Sequence, residues 1–350
     1  MQHPVSKQIA YGVQTRVMVY ALSKKLEIVL KALNVLIRCD ASIQIGLGHV
    51  TRCLVLANEL KAKGHNVYFA QKDYELGIQK VTEQGFHYFL PPMPFNYHQW
   101  ITSLAAQLSV NIFIGDVRDG LAIKTIESLK QENILTVAID EPSDYRKACD
   151  LCFYPPHAQL SKLDWSGFTG EIKQGLEYVL LRPEFYSKNV LNPAKKTYRD
   201  ILVMMGGTDP MRLTLPIINK LLMVHNIKIH TIISQDHPDR LTIINTDTKV
   251  YYGVSNMCNF LKTINYAVIS FGVTAYELIA LGIPATHILL NSDHKTASQY
   301  FYKQKLAMPL HINNIKENPT IIEPTLNINR YGIEQCLIVK KILKEARNAV

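Results

Sequence analysis

The feature that most constrains the fold of this chain is a repeated alternation between short apolar runs and amphipathic stretches. The runs are rich in β-branched and aromatic side chains, as strands are. Strands that alternate with helices in this way form parallel sheets that helices cover on both faces. The apolar runs, in chain order, are NVLIRC, NVYFAQ, FHYFL, NIFIGD, ILTVAID and LCFYP, then DILVMMGG, IKIHTIIS, KVYYGV, NYAVIS, IPATHILL and LAMPLHI.

The stretches between these runs predict the helices. Each has apolar residues at helical spacing, so each strand and the helix after it form one βα unit. The predicted helices span 50–63, 77–83, 97–108 and 121–131 in the first half, and 213–224, 256–263, 274–281 and 332–349 in the second.

The alternation is interrupted once, by the polar and basic text KNVLNPAKKTYR. Because this text contains Pro193 and lacks apolar spacing, we interpret it as a linker. A chain of 350 residues accommodates about two domains. The predicted division is an N-terminal extension at 1–33, a Rossmann-like domain at 34–190, a linker at 191–199, a second Rossmann-like domain at 200–331 and a C-terminal helix at 332–350. Two doubly wound domains joined in this way form a cleft that the carboxyl ends of their strands face.

Composition excludes several classes of function. The 47% hydrophobic and 19% charged residues are ordinary for a soluble globular protein. The net charge of +9 is scattered, without a basic run, so we expect no nucleic-acid partner. A basic surface suits either an anionic substrate or a weak association with an anionic membrane. No apolar stretch approaches the ~20 residues of a membrane span. Nothing in the sequence indicates disulfides or secretion, so the expected location is the cytoplasm. Cys149 and Cys152 form the one closely spaced cysteine pair, and without a second such pair we interpret them as buried thiols rather than a zinc site.

The extension at 1–33 has more than one interpretation. From Val17 onward it has the pattern of a basic amphipathic helix. A transit-like segment, an interfacial helix in peripheral contact with a membrane, or an upstream mis-assigned start would each produce this pattern.

Glycine-rich turns follow the strands in both halves. Glycine lets the backbone approach a ligand closely, and a helix N-terminus offers unpaired N–H groups, which together favour a diphosphate. The Gly46-x-Gly48 turn lacks the third glycine of a dinucleotide fingerprint, because Thr51 stands there, and no Walker lysine is present. We therefore predict no nicotinamide or other cofactor; the alternative for each loop is a tight turn without a ligand. The glycines concerned are Gly46 and Gly48, then Gly206 and Gly207, then Gly272.

Four segments resemble one protein family in order. RCDASIQIGLGHVTRCLVLANELKAKGHNVYFA, GLEYVLLRPEF, ILVMMGGTDP and TAYELIALGIPA are similar to the UDP-sugar hydrolases of pseudaminic acid biosynthesis, which belong with the MurG glycosyltransferases to the GT-B superfamily. The resemblance covers about 34–310. It implies an α/β GT-B fold, two Rossmann-like domains with the active site between them, and a UDP-sugar substrate.

The resemblance also implies roles for individual residues of the second half. Gly206, Gly207 and Thr208 would line the diphosphate, and Gly272 and Thr274 would continue that cradle at the next helix. Glu277 matches the acid that accepts hydrogen bonds from the ribose hydroxyls. Its alternative is an acid favoured near a helix N-terminus by the helix dipole.

His49 is the leading catalytic candidate. The reaction of the family displaces UDP at the anomeric carbon with water, so it needs a base near the sugar. An imidazole at the first turn of a helix projects into the cleft, and the helix dipole favours its neutral, basic form. The alternative is a histidine that only caps or packs the turn. Asp40 and Arg38 either contact the sugar and position His49, or form a structural ion pair.

The sequence departs from the hydrolases at several points. The text GDVRDGLA lacks the expected tyrosine and instead places Asp116, Arg118 and Asp119 on the sugar side, with Asp116 as a further catalytic candidate. NSDHK replaces an Asn-Gln pair and leaves Asp293 and His294 as substrate-binding candidates. The segments GDVRDG, DEPSDYR, FYPP and SFGVTAYE resemble a sister group instead, the SpsG-type proteins of spore-coat polysaccharide synthesis, which are described as predicted glycosyltransferases.

Three functions therefore stay open. If water is the acceptor, the chain is a hydrolase, and the resemblance implies a substrate of the UDP-2,4-diacetamido-2,4,6-trideoxy-L-altrose type. If a sugar is the acceptor, the chain is a glycosyltransferase. The third is a non-catalytic nucleotide-sugar-binding protein. The leading hypothesis, which rests on the family resemblance, is an inverting enzyme. No DxD motif stands at a strand end, so the predicted mechanism is also metal-independent. The sequence gives no prediction for the oligomeric state.

Overall fold

The computed structural model describes residues 32–42, 45–156, 158–186, 200–206, 209–311 and 336–348. In these ranges the chain forms two α/β domains, each built on one parallel sheet. The predictions for the extension before residue 32, for the linker, and for Gly207 and Thr208 lie outside the described residues.

The first domain follows the predicted βα alternation. Residues Val35 to Cys39 of its first strand are buried, which is why that strand has an almost continuous apolar sequence. Its elements are β1 (Asn34–Cys39), α1 (Gly48–Ala62), β2 (Asn66–Ala70), α2 (Glu75–Glu83), β3 (His87–Phe89), α3 (Tyr97–Gln107), β4 (Ile112–Asp116), α4 (Ile123–Gln131), β5 (Leu135–Ile139), β6 (Leu151–Tyr154) and β7 (Glu171–Gln174).

The second domain repeats the pattern, and a last helix follows it. Its elements are β8 (Asp200–Met204), α5 (Thr214–Leu221), β9 (Lys228–Ile232), α6 (Arg240–Ile244), β10 (Thr248–Tyr251), α7 (Met257–Leu261), β11 (Tyr266–Ser270), α8 (Val273–Leu281), β12 (Ala285–Leu289), α9 (Ser292–Lys303), β13 (Ala307–His311) and α10 (Ile338–Asn348).

Both sheets are doubly wound, and the strand order reverses once in each. The first sheet has the order β3-β2-β1-β4-β5-β6-β7, and the second has the order β10-β9-β8-β11-β12-β13. The reversals fall between β1 and β4 and between β8 and β11. Ligands of such sheets bind outside the carboxyl ends of the strands at this reversal, so the topology fixes where a site is expected in each domain.

Three elements were not predicted, and each has a weak sequence signal. The strand β7 has the polar sequence EIKQ at the edge of its sheet. The helix α6 is only five residues long, and α9 has the polar sequence SDHKTASQYFYK. Its start is instead set by Asn291, whose side chain accepts a hydrogen bond from the backbone N–H of His294 at 2.8 Å.

The segments directly before and after the second domain each pack across the domain boundary. Val179, Leu181 and Phe185 precede β8 but pack in a hydrophobic cluster with residues of α8. The helix α10 follows the second domain yet packs against the first. Its buried residues in the first-domain cluster are Ile338, Val339, Ile342, Leu343 and Ala346.

None of the helices in the described ranges combines the length and the apolar character needed to cross a membrane. Cys149 and Cys152 are both buried as free thiols, as the apolar text around them predicted.

The buried His287 on β12 makes the second domain sensitive to acid. Burial, with a smaller contribution from nearby His294, lowers the pKa of His287 to about 3. An unfolded histidine has a pKa near 6.5, so between these values the unfolded state binds the extra proton and stability falls as pH falls. We expect this one group to change the free energy of unfolding by about 1.4 kcal/mol per pH unit between roughly pH 6 and pH 4.

Urea unfolding of the wild type and of His287→Gln at several pH values measures this contribution. The variant should lose less stability per pH unit than the wild type, while parallel pH dependences would contradict the assignment. His87→Gln, at an exposed histidine on β3, is the matched control and should leave the wild-type dependence unchanged.

Candidate active site

A cavity of about 310 Å³ lies between the two domains. We call it the interdomain cavity. Arg52, Arg118 and Asp140 line it from the first domain. Residues from the second domain face them across the cleft: Phe271, Gly272, Val273, Tyr276, Asn291, His294 and Ala297.

A second cavity of about 650 Å³, the His49 cavity, lies beside the carboxyl ends of β1 and β4. His49 and Asp116 line it near the strand-order reversal of the first sheet. Its other lining residues are Asp40, Ala41, Ser42, Ile45, Lys72, Asp73, Tyr74, Val117, Arg118, Asp119 and His294. Arg118 and His294 line both cavities, so the two are adjacent.

His49 is the second residue of α1, which begins at Gly48, two residues before the predicted start. Its Nδ1 lies 2.7 Å from Asp116 Oδ1. Arg52 Nη2 also lies 3.2 Å from this nitrogen, but the contact with the carboxylate is shorter, and a carboxylate only accepts hydrogen bonds. We therefore assign the ring proton to Nδ1, which leaves Nε2 as the basic nitrogen. The arrangement of imidazole and buried carboxylate orients His49 and stabilises the imidazolium that forms when it takes a proton.

Asp116 is buried at the end of β4 and is held by Arg52 as well as by His49. Arg52 Nε donates to Asp116 Oδ2 at 2.5 Å, and its Nη2 donates to Oδ1. Burial raises the pKa of Asp116, but the charge and hydrogen bonds of Arg52 and the contact with His49 outweigh burial and hold the pKa below its ordinary value. Asp116 therefore stays a carboxylate at neutral pH.

Arg52 and Asp140 also belong to this cluster, and neither was predicted as a site residue. Arg52 Nη1 donates to Asp140 Oδ2 at 3.1 Å, which links the ends of β4 and β5. Asp140 has a φ of 50°, a left-handed conformation that is uncommon outside glycine and recurs at functional sites. The available signal for Arg52 was its spacing: residues three apart on a helix are neighbours, and Arg52 follows His49 by three.

Arg118 extends from the loop after β4. Its Nη2 donates to the backbone oxygen of Asp140 at 3.3 Å and lies 3.7 Å from the Asp140 carboxylate. The side chain is 48% exposed, so it has room to reach a ligand in either cavity.

Asp40 is part of an ion pair, one of the two interpretations that the sequence left open. Arg38 donates to both of its carboxylate oxygens at 2.6 Å, and the backbone N–H of Lys72 donates to Oδ1 at 2.8 Å. Asp119 accepts a second bond from Arg38 at 2.6 Å and one from the Tyr97 hydroxyl at 2.7 Å. Asp40 lines the His49 cavity, but these hydrogen bonds anchor it on the Arg38 side of the cavity.

The predicted glycine loops lie at the carboxyl ends of the strands, as expected. Gly206 follows β8 with a φ of 88°, and a Cβ added there would lie 3.9 Å from Ser270 Oγ at the end of β11. Gly272 immediately precedes α8 and lines the interdomain cavity. Gly46 has a φ of 69° and closes a turn against Ser42, while Gly48 opens α1; neither lines the two cavities.

Glu277 is buried rather than open to the interdomain cavity. Arg182 Nη2 donates to its Oε1 at 2.8 Å, and Thr274 also hydrogen-bonds its side chain. Burial raises the pKa of Glu277, and the charge of Arg182 partly offsets that effect. The role of Arg182, within the motif LLRPEF, was not predicted. Asp293 and His294 are the two candidates from the segment NSDHK. His294 lines both cavities, and the side chain of Asp293 lies outside the described residues.

No group of three or more histidine, cysteine, aspartate or glutamate side chains in the described ranges is arranged to hold a metal ion. The site therefore consists of an imidazole–carboxylate–guanidinium cluster in one domain, facing a glycine-containing helix start in the other.

Solved structures show the fold class. MurG of Acinetobacter baumannii superposes with a TM-score of 0.60 at 12% identity, over 90% of this chain and 99% of MurG. The spinosyn rhamnosyltransferase SpnG complexed with thymidine diphosphate superposes with a TM-score of 0.54 at 13% identity, over 91% of this chain and 95% of SpnG. At these identities the likeness shows the fold alone. Together with the two parallel sheets it confirms the predicted two-domain GT-B architecture.

Three curated proteins are similar in sequence. An uncharacterized protein of Methanocaldococcus jannaschii is 25% identical over 323 residues, covering 81% of this chain but 61% of that protein. The spore coat polysaccharide biosynthesis protein SpsG of Bacillus subtilis is 22% identical, covering 83% of this chain and 87% of SpsG. The UDP-2,4-diacetamido-2,4,6-trideoxy-beta-L-altropyranose hydrolase of Campylobacter jejuni is 26% identical, covering 71% of this chain and 89% of the hydrolase.

No protein-family model matches the chain. The relatives confirm the predicted resemblance to a family that includes both the UDP-sugar hydrolase and the SpsG-type protein.

Proposed function

We propose that this chain cleaves a UDP-sugar between its two domains, with water as the acceptor, and releases UDP and a free amino-deoxy sugar for glycan biosynthesis. The observation that carries the proposal is the His49–Asp116–Arg52 cluster at one wall of a cavity that adjoins the interdomain cavity. The named activity of the Campylobacter relative supports the donor class and a sugar of the UDP-2,4-diacetamido-2,4,6-trideoxy-L-altrose type.

In this proposal UDP occupies the interdomain cavity. Gly206 and Gly272, which precedes α8, offer backbone N–H groups to the diphosphate, and the family resemblance adds Gly207 and Thr208 to this cradle. Glu277 accepts hydrogen bonds from ribose only if it exposes an oxygen beside its pair with Arg182. Otherwise the Arg182–Glu277 pair holds the start of α8 in place and acts on the nucleotide indirectly.

The sugar lies in the His49 cavity. His49 Nε2 removes a proton from water as the water oxygen attacks the anomeric carbon on the face opposite the diphosphate, which inverts the configuration. Asp116 holds His49 and balances the charge of the imidazolium. Asp40 and Asp119 line the same cavity and offer acceptors for sugar hydroxyl or amide groups.

The alternative is a glycosyltransferase, in which a sugar hydroxyl replaces the attacking water. The similarity to SpsG, which is named for spore coat polysaccharide biosynthesis, supports this alternative, and it uses the same donor site. A peripheral contact of the N-terminal extension with a membrane would suit such an enzyme and stays a prediction, as does a cytoplasmic location.

Release of UDP from a panel of UDP-sugars, without any added acceptor, tests the proposal. If the chain is a hydrolase, we expect release of UDP and an equal amount of free sugar from at least one donor. Binding of UDP without release would favour the glycosyltransferase or the non-catalytic protein, and release that begins only on addition of a sugar acceptor would select the transferase. Absence of UDP binding would contradict all three.

We expect chelation by EDTA to leave UDP release unchanged. The sequence has no DxD motif at a strand end, and the proposed leaving diphosphate faces backbone N–H groups and basic side chains instead. The measurement is the initial rate before and after EDTA treatment, with Mn²⁺ and Mg²⁺ added back. Loss of turnover that either ion restores would refute the metal-independent mechanism.

A further inference from the structure

We propose that Arg118 and His294, which approach from opposite domains, together bind the β-phosphate of the nucleotide and stabilise the negative charge that forms on it as the sugar departs. The proposal rests on the proposed function and adds to it the position of the bond that breaks. It follows from a property that only these two residues share among the described lining residues: they line both the interdomain cavity and the His49 cavity.

The shared wall of the cavities identifies the junction of sugar and nucleotide. If the nucleotide occupies one cavity and the sugar the other, the β-phosphate lies where the cavities meet. Negative charge develops on the phosphate oxygen there as the glycosidic bond breaks, and preorganised N–H donors at that point stabilise the transition state. A guanidinium and an imidazole are suitable donors for a phosphate oxygen.

The two residues differ in how firmly they are held. His294 lies in the first turn of α9, which Asn291 caps at 2.8 Å, and its ring lies 6.1 Å from that of Phe271. Arg118 is half exposed and has one donor hydrogen bond to the backbone of Asp140 at 3.3 Å, beyond the usual N–H···O distance. His294 therefore provides the fixed contact, and Arg118 completes it from the opposite domain when the nucleotide is present.

The step balances without a further reactant. Water forms a bond from its oxygen to the anomeric carbon and gives its proton to His49 Nε2. The bond between the anomeric carbon and the β-phosphate oxygen breaks, and its electron pair stays on that oxygen. His294 and Arg118 donate hydrogen bonds to this oxygen and its neighbours, so UDP leaves as the anion.

Affinity for UDP compared with UMP tests the proposal, because UMP lacks the β-phosphate. Isothermal titration of the full chain measures both ligands with the wild type, His294→Ala, His294→Asn and Arg118→Ala. We expect each variant to lose about tenfold or more in affinity for UDP while affinity for UMP changes less than about twofold, as loss of a charged hydrogen bond predicts. His225→Ala is the matched control, since this exposed histidine lies between α5 and the start of β9, at the amino ends of the strands and away from the site at their carboxyl ends.

A merely structural role of His294 would weaken both ligands alike or lower the thermal midpoint without changing the UDP-to-UMP ratio, and either result would overturn the proposal. Unchanged affinity for UDP in the variants would overturn it as well, with the proposed function intact. Failure of the wild type to bind UDP would instead contradict the proposed function and this inference with it.

Discussion

His49→Ala is expected to lower the rate of UDP release by about 10³-fold, within the range that a positioned general base contributes. Affinity for UDP should change little, because His49 lines the His49 cavity and not the interdomain cavity. Steady-state rates with the best UDP-sugar, together with UDP titrations, separate the two effects. The thermal midpoint should also stay near that of the wild type, since the His49 side chain is 18% exposed and is not part of the core.

His87→Ala provides the control for His49→Ala, because it removes an exposed imidazole from β3 in the same domain. It should retain the wild-type rate. If His49→Ala kept more than about a tenth of the wild-type turnover, His49 would be a packing residue of the α1 start, which is the alternative that the sequence left open.

Asp116→Ala should reduce both stability and turnover. Removing one partner of a buried ion pair leaves the other charge uncompensated, at a cost of about 3–5 kcal/mol, and here Arg52 would lose its main partner. For a domain of this size we expect the thermal midpoint to fall by roughly 10 °C. Turnover should fall about 10²–10⁴-fold because His49 loses the acceptor that orients its ring. Thermal unfolding and UDP release measure the two effects.

Two further variants separate stability from catalysis. Asp116→Leu combined with Arg52→Met removes both charges, and a buried pair replaced by apolar side chains is often neutral for stability. We expect this double variant to recover most of the lost thermal midpoint but none of the lost turnover. Lys63→Ala, which breaks the exposed pair with Glu59, should change neither quantity measurably. A double variant with wild-type turnover would exclude Asp116 from the reaction.

The strands other than β7, and the placement of His49, were predictable from local sequence. Fully buried parallel strands have continuous apolar runs, and the glycine turn before α1 marks the helix start to within two residues. The same alternation predicts two doubly wound sheets, but the strand order and the position of its reversals come from the structure. A polar helix such as α9 was missed because its start depends on the Asn291 cap and not on apolar periodicity.

The pairing of charged side chains was not predictable in the same way. Arg52 meets Asp116 and Asp140 across 64 and 88 positions of the chain, and Arg182 meets Glu277 across 95. Such contacts depend on the order of the strands, which one sequence does not state. This is also why the carboxylate that orients His49 is Asp116 on β4, while the nearer Asp40 pairs with Arg38.

A crystal structure of the His49→Ala variant with an intact UDP-sugar tests the central claim most directly. We expect the uridine and diphosphate in the interdomain cavity, the β-phosphate beside Arg118 and His294, and the anomeric carbon facing the space left by the imidazole. A nucleotide bound elsewhere, or a sugar directed away from residue 49, would contradict the account.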